Sequence, residues 1–259
     1  STVQEIANSY RAANSPDKIR LAQTFENHAS TLYGVMLSSD HSPEKFIRPQ
    51  NIAALTHLLD LRFAKVLDNQ DDDTMQQEYK NLLVNGAVTF RDIFANLPDK
   101  NNPSSALNGF LYEAYMPIII RYYAHLQGNQ RDVIVRRATP REDDPRDGML
   151  HPENLEKLER FSNDMVLEFP GITDAEKRYH VQLKTSKDSA IESYGKAYHK
   201  GICVYNHHAY EPDLRKHMIE TLDAMIKSLQ GDELSSTELR RIKAEFYRTS
   251  SLYPWEVEE

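Results

Sequence analysis

The sequence predicts a mixed α/β domain preceded by an all-helical segment. Three observations lead there. Up to about residue 98 the apolar residues recur at helical spacing. A polar tract, Asp99-Lys100-Asn101-Asn102-Pro103-Ser104-Ser105, then breaks the pattern and marks the best domain boundary. Beyond about residue 130 the spacing shifts to period two in four short runs rich in β-branched and aromatic residues.

The helical part, residues 1–98, contains three periodic stretches. Pro16 opens one that carries Ile19, Ala22, Phe25, Ala29 and Leu32. Residues 50–67 carry Ile52, Leu55, Leu59, Phe63 and Val66, and residues 74–97 carry Met75, Tyr79, Leu82, Leu83, Ile93 and Phe94. In the second part, residues 99–259, a helix is predicted from Ser105 to Leu126. Its buried side is read as Leu107, Phe110, Leu111, Ala114, Ile118, Ile119, Tyr122 and Leu126. Pro117 is expected to kink that helix or to mark its true start. Strands are predicted near 132–137, 163–169, 179–185 and 201–206, with Pro170-Gly171 beginning a hairpin turn between the second and third. A helix at 188–199 separates the last two strands. Helices at 212–229 and 236–247 close the chain, the latter opened by a capping box, Ser235-Ser236-Thr237-Glu238. Residues 138–160 form a polar insertion with a short helix at 152–160.

Composition narrows the function classes. The chain has 259 residues, 40% hydrophobic and 27% charged, an ordinary globular mix. Its single cysteine, Cys203, excludes an intramolecular disulfide, and the apolar run around it predicts a buried core thiol. No apolar stretch approaches the roughly 20 residues that span a bilayer, and the first residues lack a secretory leader pattern. A cytoplasmic protein without a membrane partner is therefore expected. The net charge of −8 runs against nucleic-acid binding, which draws much of its affinity from phosphate contacts. Between residues 177 and 200, however, six Lys/Arg stand against Asp188 and Glu192, a local excess of four positive charges.

The third predicted strand carries the chemistry. Tyr179, Val181, Leu183 and Thr185 fall on one side, and His180, Gln182 and Lys184 on the other. On the second strand Met165, Leu167 and Phe169 alternate with Asp164, Val166 and Glu168. If the apolar sets share a core face, Asp164, Gln182 and Lys184 gather on the opposite one. Asp164 can hold a hard divalent cation, with the Gln182 carbonyl as a second oxygen ligand. Lys184 can position or help deprotonate an attacking water and neutralise charge on a phosphate. Glu113, on the preceding helix, is the candidate second carboxylate.

Asp164 followed by Gln182-Leu183-Lys184 after an apolar strand resembles the bipartite signature of the PD-(D/E)xK nuclease superfamily, to which restriction endonucleases belong. The order of elements from 105 to 206 is similar to that family's αβββαβ core with a mixed central sheet. Glu113 matches the glutamate that many members carry on the first core helix. Gln182 departs from the usual Asp or Glu. A Gln-x-Lys variant occurs in methylation-directed restriction enzymes, and here it lowers the negative charge of the site by one. Ser162-Asn163 stands where the family name would have a proline before the aspartate. The resemblance covers about half the chain. It implies a Mg²⁺-dependent endonuclease, with Mn²⁺ as a substitute, that hydrolyses phosphodiester bonds in DNA rather than RNA. Asp164, Gln182 and Glu113 would be metal ligands, Lys184 would join them as a catalytic residue, and two copies would pair as a homodimer.

The competing reading is a catalytically inactive protein of the same fold that binds nucleic acid or another protein. Other motifs carry less. Asp68 to Asp73 lacks the glycine and glutamate of a calcium loop and reads as a solvated linker. His199, His207, His208 and His217 read as surface histidines rather than a zinc site. Asp132, Arg136, Arg137 and Arg141 could touch a backbone phosphate, but the mixed charges at 141–147 make an exposed loop the simpler view.

Overall fold

The structure, a computed structural model, describes residues 49–69, 71–95, 105–137, 164–170, 178–184, 186–195, 202–206 and 214–252. The expected first helix after Pro16, the short helix at 152–160 and the His207-His208 pair lie outside the described residues. The elements in chain order are α1 (Pro49–Asn69), α2 (Asp72–Ala95), α3 (Ser105–Gln127), β1 (Ile134–Arg137), β2 (Met165–Glu168), β3 (Arg178–Lys184), α4 (Lys187–Gly195), β4 (Ile202–Asn206), α5 (Leu214–Leu229), α6 (Ser236–Arg248) and β5 (Thr249–Leu252). The fold is α/β with a mixed sheet, as the spacing predicts. All four predicted strands are present, each within two residues of its expected ends.

Local chemistry sets the helix ends. Asp71, predicted to lie in a linker, caps α2. Its Oδ1 accepts the Thr74 N–H at 3.0 Å, and that bond holds its carboxyl below the usual range. The capping box of α6 is present as a reciprocal pair. Glu238 N–H donates to Ser235 Oγ at 3.1 Å, and Ser235 N–H donates to Glu238 Oε2 at 2.8 Å. Gly128 ends α3 in the left-handed region at φ 69°, which a side chain would strain.

Helix α3 is the centre of the molecule. Leu111, Tyr112, Ala114, Tyr115, Met116, Ile118, Ile119 and Tyr122 are all buried, so it is apolar nearly all round and has to be enclosed. The helix runs through Pro117 from a start at Ser105. Leu126, expected on the buried side, is instead 55% exposed, at the point where the helix leaves its neighbours. A single core joins Leu55 and Phe63 of α1, Tyr79 and Phe90 of α2, the α3 residues, Val135, Met165, Val181 and Leu183 of the sheet, and Leu222 and Met225 of α5. The helices at 49–95 thus share their core with the sheet. The boundary read at 98–99 lies outside the described residues.

The sheet has the order β1-β2-β3-β4-β5. β1, β2 and β3 form an antiparallel meander, with Val135 opposite Leu167 and Met165 opposite Val181. β4 is parallel to β3, reached through α4, with Gln182 opposite Cys203 and Lys184 opposite Tyr205. β5 adds antiparallel to β4 and was not predicted, because Thr249-Ser250-Ser251-Leu252 has no apolar alternation. One face of the sheet, with Val135, Met165, Val181 and Leu183, packs into the helical core. On the other, α4 covers Cys203 and Tyr205 through Ala190. Cys203 is fully buried, as expected.

Arg121 of α3 ties three elements together. Its Nη2 donates to Asp60 Oδ1 of α1 at 2.6 Å and to the Val135 carbonyl of β1 at 2.6 Å. The guanidinium carbon lies 4.3 Å from the centre of the Phe63 ring. Both charged side chains are almost fully buried. Removing one partner of such a pair costs about 3–5 kcal/mol, because the other charge stays in the interior. Arg121→Met is therefore expected to lower unfolding stability by that amount in urea melts. A loss below about 1 kcal/mol would show that the pair does not hold α1 to the sheet.

Burial also raises the titration of several tyrosines. Tyr79 is pushed up to about 12, and Tyr112, Tyr115, Tyr122 and Tyr123 are raised as well, in each case mainly by loss of solvent. In the unfolded chain these groups release protons near pH 10, whereas in the folded protein they keep them. Stability is then complete below pH 10 and falls as pH rises through the folded values. Absorbance titration is expected to show these tyrosines ionising only together with alkaline unfolding. Reversible ionisation of all fourteen tyrosines near pH 10 in the folded state would contradict it.

Candidate active site

The candidate residues meet where β2 begins. Asp164 directly precedes β2 and is held to β3 by two bonds that straddle Gln182. Its N–H donates to the Val181 carbonyl at 3.0 Å. Its Oδ2 accepts the Leu183 N–H at 2.7 Å. The sequence places Asp164 on a face of the second strand. In the structure it is a strand-entry residue whose carboxylate turns toward the neighbouring backbone and takes the place of a ladder carbonyl. This draws the carboxylate against the Gln182 segment more firmly than alternation alone requires.

Gln182 and Lys184 are both half-buried and share the face that carries Cys203 and Tyr205. No hydrogen bond or ion pair of either side chain is seen among the described residues. After Thr185, Ser186 caps α4, its Oγ accepting the Ser189 N–H at 3.1 Å. The helix that covers this face therefore begins directly after the end of β3 that bears Lys184.

Glu113 is half-buried on α3, which packs against β3 on the opposite face, the one with Val181 and Leu183. Pro117 has no N–H for the carbonyl of Glu113, four residues earlier, so the turn that bears this glutamate is the one where the helical ladder is interrupted. The structure brings Asp164 to the Gln182 segment. It places Glu113 across the sheet from Gln182 and Lys184, with Asp164 at the strand end between the two sides. Among the described residues, no group of three or more His, Cys, Asp or Glu side chains gathers that could hold a metal ion. On the Gln182 side of the sheet the donor types are one carboxylate and one amide, the kind that a cation keeping most of its waters, as Mg²⁺ does, accepts.

Two polar groupings were not found from the sequence. His217 is not at the surface. It is 5% exposed and its Nε2 meets Glu245 Oε2, itself 1% exposed, between α5 and α6. Its spacing from Leu214, Met218 and Thr221 on the buried side of α5 carried that signal. Arg136 lies in β1, inside the strand predicted at 132–137. Its Nε and Nη2 donate to Glu168 Oε1 at 2.9 and 2.7 Å. The pairing was hidden because the partner lies across a long insertion.

No protein-family model, curated protein or solved structure matches this chain. No helix among the described residues is long and apolar enough to cross a membrane.

The Asp164 bond has a measurable signature. Asp164→Ala removes the acceptor of the Leu183 N–H, and hydrogen exchange of that amide is expected to speed up at least ten-fold, while Asp164→Asn keeps an oxygen there and most of the protection. Equal exchange in all three proteins would mean the carboxylate does not anchor the strand end.

Proposed function

We propose that the chain is a divalent-cation-dependent endonuclease of the PD-(D/E)xK type, hydrolysing phosphodiester bonds in DNA. The observation that carries this reading is the carboxylate of Asp164 fastened across Gln182 at the mouth of the β2–β3 hairpin, two residues from Lys184. Support also comes from the order helix, antiparallel three-strand meander, helix and parallel strand, which agrees with the αβββαβ core that the sequence resembles.

In this reading Asp164 and Gln182 would hold Mg²⁺ or Mn²⁺, and Glu113, on the other side of the sheet, would not reach the same ion. When bound, the cation supplies Lewis acidity toward a phosphoryl oxygen. The remaining steps fall to the chain itself. Lys184 directs a water toward phosphorus and offsets the negative charge that grows there. Asp164 is fixed by the Leu183 amide, so it does not have to reorganise during the reaction. The helices before residue 98 support the core or join two copies as a homodimer in the cytoplasm.

A second reading is a non-catalytic protein of the same fold. It is favoured by the neutral amide at 182 where the family it resembles has a carboxylate.

Plasmid nicking with Mg²⁺, Mn²⁺ or EDTA separates the two. Cleavage is expected with either metal and none with EDTA. Asp164→Asn is expected to abolish it, and Lys184→Ala to slow it about 10²–10³-fold while leaving metal affinity intact. Calorimetric titration with Mn²⁺ examines the amide. Gln182→Glu is expected to tighten binding and Gln182→Leu to weaken it. Equal affinity in all three proteins, with no nicking by wild type, would select the non-catalytic reading.

A further inference from the structure

Lys184 carries its ammonium on a flexible four-carbon stem with much rotamer freedom. A charge that acts at one point in a reaction has to be held there by packing around its stem. The sheet supplies a neighbour for that task. β4 runs parallel to β3, and the register sets Lys184 beside Tyr205 and Gln182 beside Cys203. Neighbours in a ladder project from the same face, and adjacent strands are about 4.8 Å apart. Tyr205 therefore rises from the sheet directly next to Lys184.

The burial of the two residues differs. Tyr205 is 5% exposed and clusters with Ala190 of α4 and with Cys203. Lys184 is half-buried. α4 begins at Lys187, so the helix that covers the ring starts within three residues of the lysine. A lysine next to an enclosed ring lays its methylenes along the apolar surface and keeps its charged head in water. On the opposite side of β3, Asp164 enters the sheet one position beyond the Met165–Val181 pair, its Oδ2 accepting the Leu183 N–H at 2.7 Å. Lys184 thus stands between a buried ring on β4 and a fixed carboxylate at the start of β2.

Resting on the nuclease reading, we propose that Tyr205 is the positioning residue for Lys184. Its rigid ring walls off the β4 side, so the stem leans toward β2 and brings the ammonium to the Asp164 side, where phosphate is attacked. Tyr205 itself touches neither DNA nor cation. The flat ring performs this role, and the hydroxyl is not needed for it.

Two readouts separate this restraint from simple core packing. The first is NMR of the full chain with its lysines reductively ¹³C-methylated, the Lys184 signal being assigned by its loss in Lys184→Arg. That signal is expected to be displaced from those of exposed lysines by the adjacent ring, and the Lys184 stem protons to show contacts to the Tyr205 ring protons. Tyr205→Phe is expected to keep the displacement. Tyr205→Leu, still apolar in the core, is expected to move the signal to the exposed-lysine position. The second readout is DNA nicking at saturating Mg²⁺. Tyr205→Leu is expected to lower kcat roughly 10–100-fold at unchanged KM, as a small misplacement does, and Tyr205→Phe to restore it. Thermal melts identify any variant that does not fold, and the wild-type ring contacts then decide without it. A wild-type Lys184 signal among those of exposed lysines, or one that a folded Tyr205→Leu leaves in place, overturns the proposal whether or not DNA is cut. Unchanged kcat in Tyr205→Leu overturns it as well. If the signals behave as expected and wild type nicks no DNA with metal, the restraint stands and the nuclease reading is what fails.

Discussion

The architecture depends on one enclosed cation. Arg121 sits on the helix that everything else surrounds, and its guanidinium answers a carboxylate from α1, a carbonyl from β1 and the face of Phe63. A charge taken out of water is tolerated only when its donors are met. Meeting them here requires α1, α3 and the first strand at once. The edge of the sheet is therefore pinned to the helices. From that edge the meander runs inward, β1 to β2 to β3, and ends at the residues proposed for chemistry.

The rest of the site follows from short-range constraints on that frame. Asp164 borrows a ladder amide from Leu183, which fixes the carboxylate to the strand that carries Gln182 and Lys184. Ser186 caps α4 two residues beyond Lys184, so the helix that covers this face starts close to the strand end. β3 is thus held by a side-chain to backbone bond at Leu183, while its other face is held by Val181 and Leu183 in the core. Rigid support of this kind is what a positioned cluster of charges needs, since loose groups lose most of their electrostatic effect.

Much of this was legible in the sequence, for definite reasons. Period-two spacing identified β3, and the apolar set Val181 and Leu183 required Gln182 and Lys184 to turn the other way. The Ser235–Glu238 box is read from four residues alone, and it is present. What escaped depended on partners distant in the chain. Glu245 explains why His217 is inside, and the two are 28 residues apart. Glu168 explains Arg136 at a separation of 32. Leu126 looked buried because helical spacing identifies a face but not how far the neighbouring elements extend along it. β5 has no pattern of its own and is a strand because β4 offers it an edge.

That last strand has a consequence for the life of the protein outside the folded monomer. β5 follows α6 without an intervening loop and covers the outer side of β4 from Cys203 to Asn206. β4 is a run of Ile202-Cys203-Val204-Tyr205 with high β-propensity and no charge. Were α6 to peel from α5, β5 would leave with it, and an apolar strand would present bare N–H and C=O groups to any extended chain nearby. The His217–Glu245 contact, which joins the two helices in the interior, is then also a guard against self-association through the sheet edge. Colloidal stability of the protein and retention of a single buried histidine become the same problem.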